Sequence, residues 1–227
     1  MKNILVTGCN GQLGNEMQLL AAGHPEFNYF FTDVKELDIT DEKAVKSFVG
    51  MHEIDCIVNC AAYTAVDKAE SDEAFCDLLN HTAPGYLAKA VHERGGCMIQ
   101  VSTDYVFDGT AHIPYREEEP TCPATAYGRT KLAGEEAVMR NCPESVVIRT
   151  AWLYQSHPPH SRHHHLQGTP APYGRISRTG GTASLFRARQ DQNQRDLSHR
   201  HSLLGRLADR VHPEIRTKLN RRIETYE

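Results

Sequence analysis

The chain has 227 residues, 40% of them hydrophobic, with 25 basic against 29 acidic residues and a formal net charge of -4 at pH 7. A mean hydropathy of -0.52 goes with no apolar run of the roughly 20 residues needed to span a bilayer, and the opening MKNILVTG lacks the regions of a signal peptide, so a soluble cytoplasmic protein of one domain, or one and a half, is expected. Seven cysteines, an odd number in no metal-ligand spacing, read as reduced thiols rather than a disulfide framework, and no metal is required.

Asn3 to Thr7 (NILVT) is a short apolar run ending at Gly8, and from Gly11 the pattern GQLGNEMQLLAA places Leu13, Met17 and Leu20 at helical spacing. The joint reads as strand, tight turn, helix. Its glycines are spaced GxxGxxG rather than GxGxxG, with a similar physical use. Gly8 permits the turn, Gly11 lets backbone approach a pyrophosphate, and Gly14 permits close helix-to-sheet contact, while the helix N-terminus offers N–H groups and positive dipole to phosphates. A glycine-rich turn serving packing alone is the competing reading. The place of this one, after a strand and opening a helix at the chain start, favours a dinucleotide.

Tyr29 to Thr32 (YFFT) is a second β-rich run, ending at Asp33. An acid there, about 20 residues after the glycines, can hydrogen-bond an adenosine ribose 2′-OH, which favours NAD over NADP. A solvated carboxylate explains Asp33 equally well, and Asp38 and Ile39 can instead border the adenine. A helix is expected over Asp41 to Met51, a third strand over Cys56 to Cys60 (CIVNC), helices over Val66 to Leu79 and Ala83 to Arg94, and a fourth strand over Met98 to Ser102 (MIQVS). A helix over Ala126 to Arg140 and a fifth strand over Ser145 to Thr150 (SVVIRT) complete the pattern. Strands that read as buried on both faces, separated by helices, imply a doubly wound α/β fold with a parallel sheet. Its ligand crevice lies outside the carboxyl ends of the strands.

Two of those ends carry chemistry. Tyr127-Gly128-Arg129-Thr130-Lys131 lies on a helix, and Ser102-Thr103-Asp104 closes the fourth strand. Residues i and i+4 share a helical face, so Tyr127 and Lys131 can address one crevice. A nearby ammonium is expected to lower the phenol pKa and make it a proton donor and acceptor near neutrality. Thr103 can donate to a substrate carbonyl oxygen as negative charge grows on it. By itself a YxxxK pattern is usually only helix surface; with the glycine turn and the hydroxyl-bearing strand end, chance becomes a poor explanation.

The segments VTGCNGQLGNEM, NCAAYTAVDKAE, VSTDYVFDGT, PYREEEPTCPATAYGRTKLAGEE and VIRTAWLY resemble the extended short-chain dehydrogenases and, within them, the dTDP-4-dehydrorhamnose reductases. The resemblance covers residues 1 to about 154. It implies a Rossmann-like NAD(P)-binding fold and reduction, by NADPH or NADH, of the 4-keto group of dTDP-4-dehydro-L-rhamnose to give dTDP-L-rhamnose. It also implies that Thr103, Tyr127 and Lys131 are catalytic, Tyr127 protonating the new alkoxide and Lys131 also holding the nicotinamide ribose. Gly11, Gln12 and Leu13 match the pyrophosphate turn, Asp38 and Ile39 the adenine-side contacts, and Ala61, Ala62, Tyr63 and Thr64 the loop that passes the cofactor. Thr103, Asp104 and Trp152 match positions that touch the sugar nucleotide. Asn80 sits where related dehydrogenases bend a helix, with simple packing as the other explanation. The partner implied is a dTDP-sugar, with a homodimer left open; neither membrane nor nucleic acid is expected. Some relatives of this fold are non-catalytic regulatory subunits, so a dinucleotide-binding module without turnover is the alternative.

The resemblance stops where the composition breaks. Residues 1–154 hold 12 basic and 23 acidic residues and all seven cysteines, whereas 155–227 hold 13 basic and 6 acidic residues and eight of the thirteen histidines. This basic stretch lacks the periodic apolar residues a packed core requires. Translation out of frame, a basic tail for an acidic partner, and weak metal binding by the cluster from His157 to His165 compete as readings, and the abrupt change in composition favours the first. The domain expectation is therefore 1–154 as the dinucleotide-binding and catalytic domain and 155–227 as an atypical tail.

Overall fold

The computed structural model describes residues 1–111 and 115–151; Trp152 and the stretch 155–227 lie outside the described residues. Five strands, β1 (Lys2–Thr7), β2 (Phe27–Thr32), β3 (Cys56–Asn59), β4 (Cys97–Thr103) and β5 (Val146–Thr150), pair in parallel in the order β2-β1-β3-β4-β5. Parallel neighbours need crossovers. Helices α1 (Gln12–Ala21), α2 (Glu42–Met51), the helical run between β3 and β4, and α6 (Ala126–Asn141) supply them. The chain leaves β1 toward β2 and returns to β3 on the other side, so the order reverses between β1 and β3. That is the switch point at which such sheets hold ligands.

Burial follows the expected pattern. Every residue of β3 is buried, and Leu5, Ile57 and Met98 pack with Val45 and Val49 of α2 and with Leu87 and Val91 of the helix before β4. Each such side chain contributes about 1.5–3 kcal/mol. Asp41, expected as the first residue of a helix, is instead its N-cap, accepting from the Lys43 and Ala44 amides at 2.9 and 3.2 Å. All seven cysteines are free, as expected.

The helix expected over Val66 to Leu79 is broken. A short α3 (Val66–Ala69) ends where the Ser71 and Asp72 amides both donate to the Lys68 carbonyl, and α4 (Glu73–Asp77) then runs through a π-helical turn (Leu78–Thr82) into α5 (Ala83–His92). The widening has an identifiable cause. Pro84 has no N–H to give the Asn80 carbonyl four residues earlier, and its ring crowds that carbonyl.

A buried polar chain ties the ends of β1 and β3 to the middle of β4. The Thr7 hydroxyl donates to Asn59 Oδ1 at 2.6 Å, Asn59 Nδ2 donates to Gln100 Oε1 at 2.8 Å, and Gln100 Nε2 donates to the Val101 carbonyl at 3.2 Å. With partners satisfied at each step, the network fixes β1, β3 and β4 against one another at the rim of the crevice.

Candidate functional site

The glycine turn is built by close approach. Gly8 has φ +64°, and a Cβ there would lie 2.7 Å from the Ala61 amide nitrogen and Cα. At Gly14 a Cβ would meet the Gly8 carbonyl oxygen at 2.3 Å. Gly11 is different: its Cβ would meet only the Gly8 carbonyl, at 3.3 Å. Gly11 is also the N-cap of α1, and among the described residues no side chain caps that helix. Gly8 and Gly14 are thus required by packing, while Gly11, with exposed Gln12 and half-buried Leu13 beside it, puts no side chain of its own over the positive end of α1 at the switch point.

Asp33 closes the wall on the β2 side. Its Oδ2 accepts from the Asn10 amide at 3.1 Å and its Oδ1 from the Val34 amide at 2.8 Å, so the carboxylate is pinned to the glycine turn. Asp38 turns onto its own loop, its Oδ1 accepting from the Thr40 amide and hydroxyl, and these bonds hold its carboxyl below the usual range. Ile39 is buried in the main core.

The loop after β3 is clamped by Asn80. Its Oδ1 accepts from the Tyr63 amide at 2.9 Å, and its Nδ2 donates to the Tyr63 carbonyl at 3.1 Å and lies 3.3 Å from both Cys76 Sγ and Thr130 Oγ1. The Tyr63 side chain points away, its hydroxyl donating to Asp72 and its ring edge-on to Phe75. Ala61 abuts Gly8 and donates its amide to Asn59, Ala62 is half-buried, and Thr64 is exposed.

Thr103 and Tyr127 are brought together. A Cβ on Gly128 would meet the Tyr105 carbonyl oxygen at 2.3 Å, so α6 seats directly on the turn that follows β4. That seating sets the Tyr127 ring edge-on to Tyr105, with centroids 5.6 Å apart, near enough to Thr103 for that hydroxyl to oppose the rise of its phenol pKa. The Thr103 hydroxyl also faces Asp104 Oδ1 at 3.1 Å and accepts from the Tyr105 amide. Burial pushes the Asp104 carboxyl up, against the bond from Thr103.

Lys131 shares the helical face but is aimed elsewhere. Its Nζ donates to the Val101 carbonyl at 2.7 Å, and burial pushes its pKa down to about 8, with Glu135 opposing. Burial also raises the Tyr127 phenol; the Thr103 bond works against that and the Asp104 charge with it. The expectation of a phenol lowered by Lys131 is not met in this geometry, because the ammonium is spent on a β4 carbonyl and desolvation dominates at the ring.

Sequence reasoning passed over one further feature. Glu135 and Arg149, both fully buried, form a bidentate pair between α6 and β5. Its only trace in the sequence is a pair of charges among apolar neighbours. Away from the crevice, at the amino ends of the strands, His92, Cys142 and Glu144 bring donor atoms within 4.8 Å of one another; the exposed His92–Glu144 pair, at 3.2 Å, accounts for that grouping. Among the described residues no helix is long and apolar enough to cross a membrane.

Residues 1–165 match the family described as the RmlD substrate binding domain. The chain is 48% identical over 153 residues to a probable dTDP-4,6-dihydroxy-2-methyloxan-3-one 4-ketoreductase of Streptomyces antibioticus, covering 66% of this chain and 51% of that one. It is 46% identical over 156 residues to the dTDP-4-dehydrorhamnose reductase of Salmonella typhimurium, covering 67% of this chain and 52% of that one. The crystal structure of a dTDP-4-dehydrorhamnose reductase from Bacillus anthracis in complex with NADP is similar at a TM-score of 0.64 and 36% identity, over 68% of this chain and 55% of that one. The chain spans about half the length of these relatives.

Proposed function

The chain belongs to the dTDP-4-dehydrorhamnose reductase family, and we propose that residues 1–154 are the dinucleotide-binding and catalytic domain of an NAD(P)H-dependent reductase acting on the 4-keto group of a dTDP-linked deoxysugar. The observation that carries this reading is the convergence at one sheet end of the α1 N-terminus, begun by Gly11 with no side-chain cap among the described residues, with Thr103 at the end of β4 and Tyr127 in the first turn of α6.

The site fits a dinucleotide. Gly8 and Gly14 leave no room for side chains and Gly11 adds none at the start of α1, so Gly11, Gln12 and Leu13 would hold the pyrophosphate. Asp33, fixed at the turn, would face the adenosine ribose, and Asp38, Ile39 and the Ala61–Thr64 loop would flank the rest. A bound reduced nicotinamide supplies the hydride. Thr103 donates to the substrate oxygen as charge develops on it. Tyr127 gives that oxygen its proton, and its raised pKa keeps the proton on the phenol until an alkoxide demands it. Asp104 and Trp152 would border the sugar nucleotide. NADPH is supported by the 36% identical relative solved with NADP, and Asp33 keeps NADH in the proposal.

The test is NADPH and NADH oxidation by the full chain with dTDP-4-dehydro-L-rhamnose. Turnover that falls at least about 100-fold in Tyr127→Phe supports the proposal. Saturable binding without oxidation reduces it to a dinucleotide-binding module, and neither binding nor oxidation removes it.

A further inference from the structure

We propose that Glu135, locked by Arg149, is a positioning residue for Lys131, and that this buried pair holds a carboxylate one helical turn from the ammonium. The functional consequence rests on the assignment of Lys131 to the dinucleotide site; the coupling itself rests on geometry.

Glu135 lies one turn after Lys131 on α6, where i and i+4 side chains are neighbours, and the two residues are 2% and 3% exposed. Arg149 Nε donates to both Glu135 oxygens at 2.9 and 3.0 Å, and its Nη2 donates to Oε2 at 2.6 Å. The guanidinium carbon sits 5.1 Å from the centroid of the Phe107 ring, which stacks on Tyr115 from 4.3 Å. Arg149 also stands in register with Ser102, and its successor Thr150 with Thr103. The pair therefore links the helix of Lys131 and Tyr127, the strand beside Thr103, and the loop beyond it.

The charges alternate. A carboxylate buried alone would take up a proton, and a buried ammonium would lose one. The Arg149 fork fixes the Glu135 carboxylate one helical turn from Lys131, and its charge opposes the loss of the Lys131 proton, whose own hydrogen bond goes to the uncharged Val101 carbonyl. Arg149 Nη1 is buried with no hydrogen-bond partner among the described residues, so the fork is turned to serve the carboxylate at the expense of its own third corner. A pair that merely joins α6 to β5 would contribute stability and leave the Lys131 titration unchanged; a positioning pair must move it.

The experiment is an NMR titration of the lysine Cε and Nζ signals in the full chain, with Lys131 assigned by substitution and the fold checked by thermal melting. In Glu135→Gln, which keeps shape and a hydrogen bond to Arg149, the Lys131 midpoint falls by about one unit, and Glu135→Asp restores part of the shift. An unmoved midpoint in folded Glu135→Gln overturns the proposal. Should that variant not fold, Glu135→Asp reads the same coupling alone: its shorter side chain holds the carboxylate further from Lys131, the midpoint falls by less, and a midpoint that stays put is equally fatal. NADPH titration of the same samples separates the two readings, since wild-type protein that binds no NADPH removes the dinucleotide assignment while the Lys131 midpoint still decides this one.

Discussion

At the scale of single residues, Lys131 shows how a site can oppose the fold that carries it. Its ordinary midpoint of 10.5 falls to about 8 on burial. Between those values the unfolded chain still holds a proton that the folded chain has released, so stability rises with pH through that window. Below it the cost of the buried ammonium is fully present, on the order of 3 kcal/mol. Lys131→Met is therefore expected to melt higher than wild type at pH 7, with the advantage shrinking toward pH 10.5; equal melting differences at about pH 7 and about pH 10 would refute the buried-charge account. The placement of Thr103 at the end of a strand and of Tyr127 on a helix was legible in the sequence, because the apolar run ends at Thr103 and helical spacing covers Tyr127. The aim of Lys131 was not, because helical spacing fixes a shared face but not the partner each side chain finds.

At the scale of elements, the joints carry the information that the sequence hid. Strands and most helices were legible from short apolar runs and 3.6-residue spacing, and most of their ends fell close to expectation. The π-helical turn was not, since it needs Pro84 and the Asn80 carbonyl to be read as one event a helical turn apart. Asn80 then clamps Tyr63, and α6 lies so close that a Cβ on Gly134 would meet the Asn80 carbonyl at 2.0 Å. Gly134→Ala is expected to lower stability by about 1–3 kcal/mol, measured by urea unfolding, while Gly50→Ala, where a Cβ meets nothing within 4 Å, leaves it unchanged or raises it. Equal effects at the two positions would mean that the contact between α6 and the π-helical turn is not tight. Arg149→Met strands Glu135 in the interior, and unfolding is expected to become easier by about 3–5 kcal/mol. A loss under about 1 kcal/mol would show that the carboxylate finds water or another partner.

At the scale of the whole sheet domain, parallel pairing places the ends of all five strands on one rim, and the reversal of order between β1 and β3 makes that rim a crevice. Composition and alternation sufficed to infer this architecture. The Thr7–Asn59–Gln100 chain that holds the rim in register escaped notice, because three polar residues in three separate strands reveal their partnership only when the sheet is assembled.

The central claim, that the rim holds a nicotinamide dinucleotide on the N-terminal end of α1, is tested most directly by titrating NADPH and NADH into the full chain and its Gly11→Asp variant, following nicotinamide fluorescence. Aspartate is a favoured N-cap, and a Cβ at residue 11 meets only the Gly8 carbonyl. The cap bond offsets the small shift that this carbonyl must make, so the variant is expected to stay folded while its carboxylate occupies and repels the pyrophosphate position. Saturable binding by wild type that is lost in folded Gly11→Asp is the result predicted. Wild-type protein that binds neither dinucleotide, or a variant that binds as wild type does, would contradict the account.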